Sequence, residues 1–207
     1  MEVVFCDNHL LVISKPAGLS TQPHEGESDN LTDRAKAWVK KEYNKAGNVF
    51  LEPIHRLDKP VGGLVLFART SKALSRLQES MRNKQIIKTY FAWVEGTLSE
   101  KTGTLEHTLT HGEHRAHVHK EGKLARLHYV VLEEKNGRTH VEITLETGRY
   151  HQIRAQFSAI GAPVVGDIKY GSKTALSKPG ILLHHGRLAF PHPVTKEQVE
   201  LRDLHSI

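Results

Sequence analysis

Asp58 and Arg56 lie two positions apart, directly before a turn that is rich in proline and glycine. The apolar run over residues 64–68 follows the turn and is typical of a buried strand. A carboxylate at the junction of a loop and a buried strand is held by rigid scaffold and can still face a cleft, which is a common place for chemistry. On residue types alone, a local structural ion pair competes with a functional carboxylate as the interpretation of this segment.

A second polar segment, residues 147–154, stands at the start of a predicted helix over 151–160. The spacing predicts a buried helix face made of Ile153, Phe157 and Ile160, with Arg154 on the flank of that face. One interpretation of Arg154 is a basic, solvated helix surface. The other is an anion-binding surface, because the N–H groups at a helix start favour phosphate.

Residues 107–119 contain a third group of chemically capable side chains, a tract of five histidines. The tract consists of His107, His111, His114, His117 and His119. Because histidine-rich tracts can bind metal, a metal-dependent hydrolase or nuclease is an alternative function. The tract has no neighbouring cysteine and no His-Glu-x-x-His spacing, so a polar loop or an RNA-facing patch is the competing interpretation.

The elements that must position these residues are mostly strands joined by hairpins. Predicted strands cover residues 3–5, 10–15, 64–68, 86–95, 105–110, 124–134 and 139–146, with another near 188–190. Predicted helices cover 31–43, capped by Asp29 or Asn30, a segment capped by Ser71, and 151–160, while 111–122 is predicted to be a loop. The pattern predicts an α+β fold with a mixed, largely antiparallel β-sheet core and flanking helices.

Composition narrows the functional classes. With 207 residues, no repeat and no linker, residues 1–207 are predicted to form a single domain. The formal net charge of +6 suits a polyanionic partner such as RNA. The single cysteine, Cys6, allows no internal disulfide, and we find neither a signal peptide nor an apolar run long enough to span a bilayer, so a cytoplasmic protein is expected.

The segment His-Arg-Leu-Asp at 55–58, with the small-residue turn and Gly-Leu strand that follow, closely resembles the catalytic motif of the RluA-type pseudouridine synthases. The resemblance implies that Asp58 is the essential catalytic residue. The chain differs at Val61-Gly62, where the family usually has Thr-Ser.

Further blocks resemble the same family in the same order along the chain. The block at 147–154 and its continuation to Gly171 imply that Arg154 pairs with Asp58 and keeps that carboxylate ionised. Lys88-Thr89-Tyr90 resembles the segment whose tyrosine lies against the target uracil, although an ordinary strand tyrosine is the alternative. Residues 15–19, 183–184 and 192–193 resemble the first and last blocks, and Gln156 replaces the usual histidine.

The resemblance implies an isomerase, an intramolecular transferase that converts uridine to pseudouridine in ribosomal RNA or tRNA without cofactor or metal. It implies catalytic roles for Asp58, Arg154 and Tyr90. The predicted substrate-binding residues are His55, Arg56, Lys88, Arg149, His151 and Gln152. We expect a monomer consisting of the catalytic domain without the S4-type RNA-binding domain of many relatives, and a non-catalytic RNA-binding module is a further alternative.

Overall fold

Strands outnumber helices in the computed structural model, which describes residues 1–26 and 28–204. The chain divides into two compact units, the first made of residues 1–87 and the segment from Arg187 onward, the second of residues 88–186. None of the helices in these described ranges is long and apolar enough to span a membrane. The prediction of a single catalytic domain over residues 1–207 stays a prediction.

The first unit combines two helices with strands on either side of them in sequence. Its elements are β1 (Glu2–Cys6), β2 (Leu10–Lys15), α1 (Leu31–Glu42), β3 (Glu52–Pro53), β4 (Gly62–Ala68) and α2 (Ser71–Arg82). The second unit contains β5 (Ile87–Glu95), β6 (Thr102–His111), β7 (Ala116–Val118), β8 (Lys123–Lys135), β9 (Arg138–Leu145), α3 (Gln152–Ala159) and the 3₁₀ helix Ile168–Tyr170. Strand β10 (Leu183–Pro191) contributes residues to both units, and β11 (Gln198–Arg202) belongs to the first.

The core of the first unit is built on β2 and β4, which pair antiparallel. Every residue of β4 is buried, as are Leu10–Ile13 of β2, because the sheet is covered on both faces. Ala73 and Leu77 on one face of α2 pack in a cluster with residues of both strands. The buried strand predicted over 64–68 is therefore confirmed.

Polar caps fix both helices of the first unit. Asn30 caps α1, as predicted, and its side chain accepts a hydrogen bond from the N–H of Asp33 at 2.9 Å. The prediction that Ser71 caps α2 is wrong: Thr70 is the cap, and its hydroxyl accepts from the N–H of Ala73 at 3.1 Å. Thr70 has the extended backbone of a cap, whereas Ser71 is already the first helical residue.

The second unit contains an antiparallel sheet with the strand order β5, β9, β8, β6, β7. Asn136 and Gly137 turn the β8–β9 hairpin with positive φ values of 52° and 69°, which confirms the predicted hairpin. The prediction of a loop over 111–122 is wrong in its middle, because β7 pairs with β6 there. Tyr170 adds a long-range contact to this pairing, since its hydroxyl accepts from the N–H of Ala116 at 2.7 Å.

Helix α3 differs from its predicted amphipathic pattern. All six residues from Gln152 to Phe157 are buried, because α3 packs against β6, β7 and the 3₁₀ helix. Ile160 was predicted to belong to the buried face but is exposed, since it lies beyond the last helical residue. Arg154 is buried, so the interpretation of a solvated basic helix surface is wrong.

The two candidate caps of α2 allow a matched test of helix stability. We expect Thr70→Ala to lower the free energy of unfolding by about 1 kcal/mol, because the N–H of Ala73 loses its acceptor. Ser71→Ala is the control and should change stability little, because serine at the first helical position does not cap α2. Urea unfolding of both variants measures the difference, and equal losses would contradict the assignment of Thr70.

Candidate active site

Asp58 lies in the irregular segment between β3 and β4, where its side chain is half-buried. The carbonyl of Asp58 accepts a hydrogen bond from the N–H of Val61 at 3.0 Å, which closes the turn. Val61 is itself buried, so the residue that replaces the family's usual threonine anchors the turn by packing. Arg56, two positions before Asp58, is exposed.

Lys15 supports this turn from β2, a role that the sequence did not reveal. Its side chain is almost completely buried, and its ammonium donates to the carbonyls of Leu19 at 2.7 Å, Pro16 at 3.0 Å and Lys59 at 3.4 Å. Burial lowers the pKa of Lys15 to about 8, and the charge of Asp58 acts in the opposite direction. A buried cation thus interacts with the candidate catalytic carboxylate within the first unit.

His55 is directed toward β4. Its Nε2 atom accepts a hydrogen bond from the N–H of Leu66 at 3.3 Å, so the imidazole contacts the buried strand that follows the turn. The predicted role of His55 in substrate binding stays a prediction, and this contact shows that it also holds the backbone of the segment against β4.

Arg154 forms a buried, bidentate ion pair with Asp167. Its Nε donates to Oδ2 of Asp167 at 2.6 Å and its Nη2 to Oδ1 at 3.0 Å, and both side chains are at most 5% exposed. The backbone of Asp167 is held at the start of the 3₁₀ helix, because its carbonyl accepts from the N–H groups of Tyr170 and Ser172. A guanidinium has five N–H donors, so this pair is compatible with the predicted pairing of Arg154 with Asp58, which stays a prediction.

Tyr170 and His151 complete the surroundings of Arg154. The Cζ atom of Arg154 lies 4.9 Å from the centroid of the Tyr170 ring, and Nδ1 of His151 lies 2.9 Å from the Tyr170 hydroxyl. Burial, together with the charges of Arg154 and Lys169, lowers the pKa of His151 to about 3. His151 is therefore neutral at physiological pH.

The turn before α3 is organised by Gln152. Its Oε1 accepts from the N–H of Arg149 at 2.9 Å and from the hydroxyl of Thr147 at 2.8 Å, and its Nε2 donates to the carbonyl of Arg126 at 3.1 Å. Arg149 is exposed and donates through Nε to the carbonyl of Leu124. Gln152 thus supports the turn before α3 through its side-chain hydrogen bonds, while Arg149 lies at the surface.

Tyr90 lies on β5 with its ring buried and stacked on His185 at a centroid distance of 4.6 Å. Lys88 is on the same strand, and burial lowers its pKa. A Cβ atom at Gly148 would lie 3.6 Å from the Lys88 ammonium, so this lysine reaches the turn before α3. The structure therefore brings Lys88 close to the 147–154 segment.

Sequence analysis did not identify three residues that support the site: Lys15, Asp167 and His185. Lys15 and Asp167 lie within blocks that resemble the family, but an isolated lysine or aspartate gives no local signal of burial. His185 follows His184 after the apolar run 181–183, and only its stacking on Tyr90 reveals a role. Gln156, in place of the usual histidine, donates to the carbonyls of Leu105 and Ala125 and so ties α3 to β6 and β8.

The histidine tract gives no support to the metal-dependent alternative. Over residues 1–26 and 28–204, no group of three or more histidine, cysteine, aspartate or glutamate side chains is placed to hold a metal ion. His111, His114, His117 and His119 are exposed, and His107 is half-buried.

The Arg154–Asp167 pair predicts a large stability effect. Asp167→Ala should lower the free energy of unfolding by about 3–5 kcal/mol, because it removes the bidentate partner of a buried charge. Glu106→Ala is the control, since the ion pair of Glu106 with Arg126 lies at the surface and its loss should change stability little. Chemical unfolding of both variants measures the contrast, and a mild effect of Asp167→Ala would show that the pair contributes little to stability.

The low pKa of His151 predicts an acid-dependent loss of stability. The unfolded chain takes up a proton on this residue near pH 6.5, whereas the folded chain takes it up near pH 3, so stability falls as the pH falls between these values. The loss from this residue should reach about 2 kcal/mol at pH 5. His151→Asn should remove this part of the slope in urea unfolding at pH 7 and pH 5, and the exposed control His117→Asn should retain it.

Comparison with known proteins places these elements in a family. Residues 9–159 match the family described as RNA pseudouridylate synthase. The chain is 37% identical to the dual-specificity RNA pseudouridine synthase RluA of Pasteurella multocida, with 95% of this chain and 90% of the relative covered. It is 33% identical to the uncharacterized RNA pseudouridine synthase YhcT of Bacillus subtilis, with 96% of this chain and 67% of the relative covered.

Solved structures show the same fold. Human RNA Pseudouridylate Synthase Domain Containing 4 superposes with a TM-score of 0.81 at 22% identity, covering 98% of this chain and 87% of that one. Human RNA Pseudouridylate Synthase Domain Containing 1 gives a TM-score of 0.76 at 23% identity, covering 98% and 82%. The predicted α+β fold is confirmed, and the chain belongs to the RNA pseudouridylate synthase family.

Proposed function

We propose that this chain isomerises uridine to pseudouridine in RNA, with Asp58 as the catalytic carboxylate. The observation that carries the proposal is the placement of Asp58: in a chain of this family, it lies half-buried on a turn that is closed by Val61 and attached to β2 through Lys15. A fixed carboxylate beside a buried strand is suited to repeated chemistry on one substrate atom.

The reaction is internally balanced. The bond from C1′ to N1 of uracil breaks, the base rotates while it is held in the site, and C5 forms the new bond to C1′. C5 then loses its proton and N1 gains one, so the product has the composition of the substrate. Asp58 attacks C1′, attacks C6 of uracil or removes the C2′ proton, and each of these three routes requires an ionised, oriented carboxylate.

Arg154 is proposed to pair with Asp58 in the reacting protein. Its buried bidentate contact with Asp167 fixes the plane of the guanidinium, and the ring of Tyr170 lies against the same group. A guanidinium fixed in this way can orient a second carboxylate without losing further rotational freedom.

Tyr90 is proposed to pack against the target uracil. Stacking on His185 holds the Tyr90 ring in one orientation, which prepares a flat surface for the base. The target nucleotide must leave its stack to reach Asp58, at a cost of about a few kcal/mol. Arg56, exposed beside Asp58, fills the vacated space or holds a phosphate in this proposal.

The partner is proposed to be ribosomal RNA or tRNA, bound by a monomer in the cytoplasm. The net charge of +6 and the exposed side chains of Arg56, Arg149 and the histidine tract support contact with a polyanion. The predicted substrate-binding roles of His55, Lys88, His151 and Gln152 form part of the same proposal. The observed contacts of His151 and Gln152 are internal. These two residues are therefore proposed to support RNA binding indirectly, by holding the turn that carries Arg149.

A conversion assay on uridine-containing RNA tests the function. Asp58→Asn should abolish pseudouridine formation while leaving RNA affinity nearly unchanged, because the amide keeps the shape of the side chain but cannot act as nucleophile or base. Glu79→Gln, at an exposed position on α2, is the control and should retain wild-type turnover.

Chelator treatment separates the remaining alternatives. Activity that survives chelator and disappears in Asp58→Asn supports the synthase. RNA cleavage that disappears with chelator would support a metal-dependent nuclease, and binding without conversion of any RNA would support a non-catalytic module.

A further inference from the structure

Both backbone groups of Leu57, the residue before Asp58, are bound by a single side chain. The hydroxyl of Thr21 donates to the carbonyl of Leu57 at 2.8 Å and accepts from the N–H of Leu57 at 3.1 Å. Thr21 and Leu57 are both buried, so water cannot replace these bonds without rearrangement. One side-chain hydroxyl therefore provides the hydrogen-bond partner of both the N–H and the carbonyl of Leu57, a residue that belongs to no strand.

The segment around Asp58 needs such contacts because it has no regular structure of its own. Residues 55–61 lie between β3 and β4 and belong to no strand that would orient them. On the other side of Asp58, the carbonyl of Lys59 accepts from the N–H of Gly18 at 2.8 Å and from the ammonium of Lys15. Asp58 is thus flanked by two residues whose backbone is held by the same 15–21 segment.

Thr21 is itself attached to the start of α1. Its carbonyl accepts from the hydroxyl of Thr32 at 2.7 Å and from the N–H of Thr32 at 3.1 Å. Thr32 lies in the first turn of α1, which is capped by Asn30. A continuous series of hydrogen bonds therefore runs from a capped helix through Thr21 to the residue before Asp58.

We propose that Thr21 is a positioning residue for the reaction: its hydroxyl sets the orientation of the Leu57–Asp58 peptide and through it the direction of the Asp58 carboxylate. The inference rests on the proposed function and assigns the first turn of α1 to the catalytic machinery. The Thr21 hydroxyl binds the backbone of Leu57, so it acts on the reacting atoms through Asp58.

Thr21→Val removes both hydrogen bonds and keeps the branched shape, so it tests the hydroxyl directly. We expect kcat for pseudouridine formation to fall by about tenfold to a hundredfold with KM within about twofold, because displacement of a catalytic group by about 1 Å has an effect of this size. Thr21→Ser retains the hydroxyl and should recover most of the wild-type kcat.

Thr139→Val is the matched control for a buried threonine. The hydroxyl of Thr139 donates to the carbonyl of Gly96 at 2.8 Å within the second unit, and Thr139 is fully buried. This variant should lose stability but keep wild-type kcat. A Thr21→Val enzyme with wild-type kcat, or one in which the serine variant is as slow as the valine variant, would overturn the proposal.

Amide hydrogen exchange at Leu57 provides a readout that does not depend on activity. In Thr21→Val the Leu57 N–H loses its acceptor, so its exchange should accelerate by at least about tenfold relative to wild type. Unchanged exchange in that variant overturns the proposal. If wild type converts no RNA but the exchange result holds, the proposed function fails while the control of the Asp58 segment by Thr21 stands.

Thr32→Val serves where Thr21→Val fails to fold. It removes the hydrogen bond from the Thr32 hydroxyl to the Thr21 carbonyl, and it leaves both the bond from the Thr32 N–H and the Thr21 hydroxyl in place. We expect a smaller fall in kcat, about twofold to fivefold, and a measurable acceleration of exchange at Leu57. Wild-type values of both quantities would overturn the proposal.

Discussion

The burial of the Arg154 charge is the constraint on which the second unit depends. An arginine held away from water is tolerated only when a carboxylate meets it with good geometry, and Asp167 provides both oxygens. Asp167 in turn requires the 3₁₀ helix that follows it, whose N–H groups bind its carbonyl. Tyr170, at the end of that helix, lies against the guanidinium and holds β7 through its hydroxyl. Asp167 and Tyr170 therefore connect the buried charge to the 3₁₀ helix and to β7.

The constraint on the first unit is different: it must fix the Asp58 carboxylate on a segment that has no regular secondary structure. Its two central strands are buried on both faces, so β4 cannot shift to follow the turn that precedes it. The turn is instead bound from the side, by Lys15 and Gly18 at one end and by Thr21 at the other. Burying the ammonium of Lys15 lowers its pKa to about 8, which is the cost of using a charged side chain to bind three carbonyl groups.

Most of the secondary structure could be predicted from the sequence because its causes are local. The Asn136-Gly137 turn, the buried run in β4 and the Asn30 cap each depend on residues within a few positions of one another. Where the prediction failed, the causes differed. Thr70 caps α2 instead of its neighbour Ser71, and Ile160 lies just beyond the last residue of α3, so both errors concern the end of a helix. Strand β7 pairs with β6, and Tyr170, 54 positions away, also binds Ala116, a contact that the local sequence does not indicate.

The sequence by itself determined the family, the α+β class and the identity of the candidate catalytic residues. These can be recognised without a structure because the motifs have a fixed spacing and a fixed order along the chain. Tertiary structure decided which side chains support them. Arg154 meets Asp167 across a turn, and the hydroxyl of Thr21 reaches Leu57 across 36 positions. Periodicity reports which face of an element is apolar, but it carries no information about partners that approach from another element. The burial of Arg154, Lys15 and Thr21 is therefore visible only in the tertiary structure.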